Sequence, residues 1–155
     1  MATPKKTSSE KPAGKKTDPV VHFEMPSEDR KRMAKFYTKA LGWQMQMLGE
    51  EMGNYVLATT AADVDKKGRS KKVGIINSGF FTKNDDMPAQ YPSVVIAVDS
   101  IKKSMNKVTK AGGKVIGEPM EIPGFGMYVS FFDSEGNRVS IMEPTIEMKE
   151  KAKGK

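Results

Sequence analysis

The chain has a single histidine, His22, and no cysteine. His22 stands in the stretch VVHFEMPS, with Glu24 two residues further on. Successive side chains of an extended strand point to opposite faces, so this spacing puts an imidazole and a carboxylate on one side. Such a pair has three uses. It can contribute to a divalent metal site. It can orient the polar groups of an organic ligand. Or it can be ordinary structure, with His22 hydrogen-bonded at the rim of a cavity and Glu24 paired with a lysine. Without cysteine there are no disulfides, no thiolate metal sites and no cysteine nucleophile. A lone histidine assigns no Ser-His-Asp triad without geometry. Neither a GxGxxG nor a GxxxxGK(S/T) phosphate fingerprint occurs.

The elements that must position this pair are legible from a weak internal repeat. YTKALGW (37–43) has an echo in VTKAGGK (108–114), 71 residues on. The same offset sets HFEM (22–25) on SVVI (93–96) and Glu28 on Asp99. In the first copy, 20–25 reads as a strand. Ser27 is the expected N-cap of the following helix, with acids in its first turn. Met33, Phe36, Tyr37, Ala40 and Leu41 recur at helical spacing, and Gly42 ends the run. Strands are expected at 43–48, 54–60 and 72–82, with a charged loop over 63–72. In the second copy, 93–98 is the strand, Asp99 the expected cap, and Ile101, Met105, Val108 and Ala111 the buried stripe. Strands at 114–120, 126–133 and 138–143 follow, with a turn at 134–137.

Each copy is therefore βαβββ. One helix protects only one face of its sheet, so two copies must combine. The predicted fold is α+β, with modules 18–88 and 91–145 in one domain. Their two curved sheets together enclose a concave cavity.

Composition limits the partners. With 155 residues, 37% hydrophobic and 29% charged, the chain suits one globular domain. The net charge of +7 is unevenly spread. Residues 1–17 carry +4 and residues 146–155 carry +2, which leaves +1 for 18–145. Both ends are poor in aromatic and β-branched residues, so they are expected to be disordered basic tails. Weak, salt-sensitive contact with nucleic acid or acidic partners is the use such tails suggest. No apolar run approaches the roughly 18 residues of a membrane span, and the N-terminus lacks the apolar core of a secretory signal. A cytoplasmic location and no membrane partner are expected.

Two stretches carry a family resemblance. HFEMPSEDRKRMAKFYTKALGW is similar to the opening strand and helix of the vicinal oxygen chelate superfamily. YVSFFDSEGNRVSIMEP resembles that family's C-terminal hairpin. The superfamily includes glyoxalase I, bleomycin-resistance proteins and extradiol dioxygenases. The resemblance spans about residues 19–145 and implies paired βαβββ modules and a homodimer. It also implies four inward-pointing ligand positions on the first and last strands of each module. These fall on His22, on Ser93, on Ser140 and within VGIINSGFF (73–81), which offers Asn77 and Ser78. Only His22 is a strong metal ligand, so no cofactor is favoured. A divalent metal would need a different donor set, His22, Glu24 and Glu143, a facial triad suited to iron. That triad requires a bulge, because Ser140 and Glu143 otherwise face opposite ways. The expected function is binding of a small, partly apolar molecule. Trp43, Tyr55, Phe80, Phe81 and Phe125 would form its wall, and His22, Glu24, Asn77, Ser93 and Ser140 would orient its polar groups. The alternatives are a metal-dependent lyase or dioxygenase using the triad, and an interaction protein that works through its tails.

Overall fold

A computed structural model describes residues 16–65 and 70–153. Residues 1–15 of the expected N-terminal tail lie outside the described residues, as do 66–69 of the charged loop. Strands β1 (Val20–Ser27), β2 (Gln44–Met47), β3 (Val56–Thr59) and β4 (Asn77–Thr82) surround helix α1 (Arg30–Leu41) in sequence. Strands β5 (Ser93–Ala97), β6 (Lys114–Ile122), β7 (Gly126–Phe132) and β8 (Arg138–Pro144) repeat the arrangement around α2 (Ile101–Lys110). The fold is α+β with two βαβββ modules, as the repeat implies.

The modules join in one mixed sheet. β1 pairs antiparallel with β5, with Glu24 opposite Ser93. That seam fuses both halves into one eight-stranded mixed sheet of order β2-β3-β4-β1-β5-β8-β7-β6. Both helices cover the same face. Under α1, Val56, Ala58 and Phe80 are buried with Met25, Tyr37 and Trp43 against them. Under α2, Val98, Ile101, Val129 and Ile141 are buried with Ile96 and Phe131. The opposite face carries no helix among the described residues and is here called the open face.

Three local expectations are corrected. Ser27 does not cap α1. It extends β1, because its carbonyl accepts from Lys83 N and it pairs with Thr82. The cap is Asp29, whose carboxylate accepts from Lys31 N at 3.0 Å and Arg32 N at 2.9 Å. Likewise Ser100, not Asp99, caps α2, accepting from Lys103 N. Gly42 does end α1, in the left-handed region at φ +70°. The strand expected over 72–82 begins only at Asn77, since the chain turns at Gly74 with φ +87° before joining the sheet.

The C-terminal segment is the fourth correction. Residues 146–155 read as a disordered tail, but Ile146–Lys153 is a helix, α3. Pro144 ends β8, and Thr145 O then accepts from Met148 N and Lys149 N at 3.0 Å each. Lys149 Nζ ties the helix down by donating to Glu143 Oε1 at 3.2 Å and to Asp99 O at 3.1 Å. Composition undervalued these long-range anchors. Among the described residues no helix is long and apolar enough to cross a membrane.

Candidate functional site

Strand alternation decides what reaches the open face. On β1, Phe23 meets Trp43 edge-on at 6.3 Å and Met25 Sδ contacts Tyr37 Oη, so both point toward α1. His22 and Glu24 therefore point the other way. On β8, Ile141 lies in the core under α2. Arg138 and Ser140 take the open face. On β7, Val129 and Phe131 face α2, which leaves Tyr128 and Ser130 beside Ser140 on the open side.

These side chains form one hydrogen-bonded chain centred on Glu24, a carboxylate only 7% exposed. Tyr55 Oη donates to Glu24 Oε1 at 3.4 Å, and Tyr128 Oη donates to Oε2 at 2.8 Å. His22 Nε2 lies 3.0 Å from Tyr55 Oη. On the other side Tyr128 Oη is 2.7 Å from Ser140 Oγ, and Ser140 Oγ is 2.9 Å from Ser130 Oγ. Arg138 Nη1 donates to Ser130 Oγ at 3.4 Å. An ionised carboxylate only accepts. With both tyrosines donating to Glu24, His22 must donate through Nε2–H to Tyr55, and Ser140 must donate to Tyr128. Two relays, one from His22 and one from Arg138, then run inward and end on the two carboxylate oxygens.

Burial sets the electrostatics. It lowers the His22 pKa from 6.5 to about 4, so the ring is neutral at pH 7. Burial raises the Glu24 pKa, and hydrogen bonds from Tyr128 and Tyr55 and the charge of Arg138 oppose it without cancelling it. The Tyr128 hydroxyl is pushed up to about 12, first by burial and then by the Glu24 charge. Tyr55 is raised for the same two reasons. The cluster therefore holds one carboxyl that resists ionising and two phenols that keep their protons.

A pH prediction follows from His22. The unfolded ring binds a proton near pH 6.5 and the folded ring only near 4. Between these values the unfolded state binds more protons, so stability falls as pH drops through that window. The full effect is about 3 kcal/mol, at roughly 1.4 kcal/mol per unit. Glu24 has the opposite sign: its folded carboxyl keeps a proton above 4.5, so its contribution declines as pH rises. Urea melts of wild type and His22→Gln across pH 4–7 isolate the histidine, and the variant should show the shallower acid decline. An NMR titration of the ring should give a midpoint near 4. A midpoint at 6.5 or above would contradict this burial.

Of the expected site residues, His22, Glu24, Tyr55 and Ser140 come together in the cluster. Asn77 and Ser93 also face the open side, opposite His22 and Glu24 on the strands flanking β1. Asn77 Oδ1 accepts from Thr60 N. Phe81 is on this face too, with the Arg138 guanidinium carbon 5.1 Å from its ring centroid. Trp43 and Phe80 are not. Beneath α1, Trp43 stacks on Tyr37 at 4.7 Å and Phe80 packs tilted against it at 5.2 Å, Phe80 being one residue out of phase with Gly79 and Phe81. Phe125 sits in the β6–β7 turn, its carbonyl accepting from Thr145 N. The middle of the open face thus carries the polar cluster around a buried Val95, where an aromatic wall was expected.

The donor set His22, Glu24 and Glu143 is also corrected. The β7–β8 register runs unbroken from Phe132–Arg138 to Gly126–Pro144, so no bulge turns Glu143 around. Its carboxylate instead accepts from Ile101 N at 2.9 Å at the start of α2, and that bond and Lys149 lower its pKa. Among the described residues no three histidine or acidic side chains are placed to share a metal ion. His22 and Glu24 are two donors, and both Glu24 oxygens already accept from tyrosines. The residues present do not fit the family's metal.

Sequence reasoning missed Tyr128, Ser130 and Arg138. Their signal was present. In GMYVSFF and RVSIMEP, polar residues at 128, 130, 138 and 140 alternate with apolar ones at 127, 129, 131, 139 and 141. That marks a strand pair whose second face is built for polar contacts.

A protein-family model described as the Glyoxalase/Bleomycin resistance protein/Dioxygenase superfamily matches residues 20–141. A "Glyoxylase-like domain-containing protein" of Didymella fabae is 29% identical over 122 residues, covering 77% of this chain and 88% of the relative. Among solved structures, a hypothetical protein from Bacillus halodurans C-125 superposes with TM-score 0.59 at 14% identity, covering 84% of this chain and 96% of its own. Methylmalonyl-CoA epimerase from Mycobacterium tuberculosis gives TM-score 0.59 at 11% identity, covering 84% and 91%. The structural likenesses speak for the fold, and the family match spans most of the chain: it belongs to the Glyoxalase/Bleomycin resistance protein/Dioxygenase superfamily.

Proposed function

We propose that the protein binds a small organic molecule on the open face, seated over Glu24 between Tyr55 and Tyr128. One observation carries this reading. Seven polar side chains from both modules, His22, Glu24, Tyr55, Tyr128, Ser130, Arg138 and Ser140, converge on one helix-free face in a single hydrogen-bonded chain. A sheet face made only for stability would bury apolar side chains, because polar networks help a core only when every member is satisfied. Half-buried tyrosines beside a buried carboxyl are what a site for a partly apolar molecule with a few polar atoms requires.

The test is a ligand-observed NMR screen of aromatic acids, amides and alcohols, with hits mapped by amide shifts. Binding is expected to perturb β1, β7 and β8 and to raise Tm. If no compound does either, the reading fails. The raised Glu24 pKa supports a second reading within this one, in which the bound molecule exchanges a proton with the Glu24 carboxyl. Hits incubated with protein in D2O would then gain deuterium at carbon, and Glu24→Gln would stop the gain. A hit that stays protonated with wild-type protein counts against proton transfer.

A further inference from the structure

Two buried polar atoms on the open face have no hydrogen-bond partner among the described residues, Arg138 Nη2 and Ser93 Oγ. They occupy neighbouring register positions. β5 and β8 run parallel with Val95 beside Ser140, so two residues back Ser93 and Arg138 stand side by side on one face. Ser93 is flanked on its other side by Glu24.

Arg138 is 6% exposed, and each of its other two guanidinium nitrogens has a partner. Nε donates to Ala89 O at 3.1 Å and Nη1 to Ser130 Oγ at 3.4 Å, while Phe81 supports the guanidinium plane. Folded chains rarely leave a buried guanidinium nitrogen unpaired, because the lost hydration is not replaced. Two such atoms side by side, one a cationic donor and one a hydroxyl, form a niche for an oxygen acceptor supplied from outside. The covering contact is itself strained. Ala89 has φ +51°, a region alanine rarely adopts, and its carbonyl rests on Arg138 Nε.

We propose that Arg138 and Ser93 anchor a carboxylate carried by the open-face ligand. One carboxylate oxygen accepts from Arg138 Nη2 and from Ser93 Oγ. The other displaces Ala89 O from Nε, completing the two-point geometry that guanidinium offers to carboxylates. Phe81 lies along the apolar part of the ligand. The charge balance favours a monoanion. Arg138 is one cation with the Glu24 carboxyl close by, so a dianionic phosphate would meet more repulsion than a carboxylate. This proposal rests on the reading that the open face binds a small molecule.

The experiment uses the full chain and two matched probe pairs, benzoate with benzamide and phenylacetate with phenylacetamide, titrated by NMR. The acids are expected to bind at least tenfold more tightly than their amides. In Arg138→Gln that preference should vanish, with Tm and circular dichroism confirming a folded protein. Ser93→Ala, a smaller change that guards against misfolding of the arginine variant, should reduce the preference threefold or more. Equal binding of acids and amides to the wild type overturns the anchor and leaves the open-face reading standing. A preference that persists in folded Arg138→Gln also overturns it. If neither series binds, the anchor and the reading beneath it both fall.

Discussion

Replacing Glu24 by alanine is expected to lower the unfolding free energy by about 2–4 kcal/mol, whereas glutamine at the same position should cost less than about 1.5 kcal/mol. Alanine removes the acceptor of two buried phenols, so Tyr55 Oη and Tyr128 Oη are both left without their partner. It also leaves the Arg138 charge without its nearby carboxylate, and unpairing a buried charge is costly. The loss is tempered because the carboxylate is itself disfavoured by burial, as its raised pKa shows. Glutamine escapes that penalty and keeps one acceptor oxygen, so one tyrosine remains satisfied. Urea melts at pH 7 with unchanged m-values measure both. An alanine variant within 0.5 kcal/mol of wild type would show that the carboxyl does not organise the cluster.

The second large effect is expected at Gly79. A Cβ built on this residue falls inside the Tyr55 phenol, which the absence of a side chain now admits. Gly79→Ala must expel that ring. Overpacking costs about 1–3 kcal/mol, and the expelled hydroxyl takes with it the bonds to His22 and Glu24, roughly another 1–2 kcal/mol. The clash has a direct control. Once Tyr55 is truncated to alanine, Gly79→Ala has nothing to displace and should cost less than about 1 kcal/mol. A double-mutant cycle reads this as strong coupling. Additive effects would mean that the ring and the glycine do not compete for the same space.

The fold was legible because its cues are local and repeated. The 71-residue echo, the helical spacing of α1 and the stop at Gly42 each follow from short stretches of chain, although of the expected stripe Phe36, Ala40 and Leu41 are exposed and only Met33 and Tyr37 pack on the core. The failures share a different cause. Ser27 and Asp99 were plausible caps by residue type, but pairing with Thr82 keeps Ser27 in the strand and Ser100, one residue on, takes the cap of α2. Trp43 and Phe80 looked like cavity aromatics because composition does not say which face of a strand is covered. The phase that settles this comes from Phe23 and Met25, whose partners Trp43 and Tyr37 lie just after and on α1. His22 was found because it is the single histidine, and Glu24 because it stands two residues along the same strand. Tyr128, Ser130 and Arg138 were overlooked because each is ordinary alone, and only the seam between β1 and β5 brings them within reach of residues more than 100 positions away.

That seam has a further consequence. The backbone of the chain is close to a duplicate, yet the duplicate halves have divided their labour. The first half supplies the acid, the imidazole and one phenol. The second supplies the cation, the two hydroxyls and the other phenol. A pair of identical halves could only present the same groups twice, related by a two-fold rotation about the join, and would best suit a ligand with matching ends. Here the two sides of Glu24 differ, with a neutral imidazole on one and a guanidinium on the other. On the proposed reading, a molecule lying across the join would have one preferred direction, its head set apart from its tail.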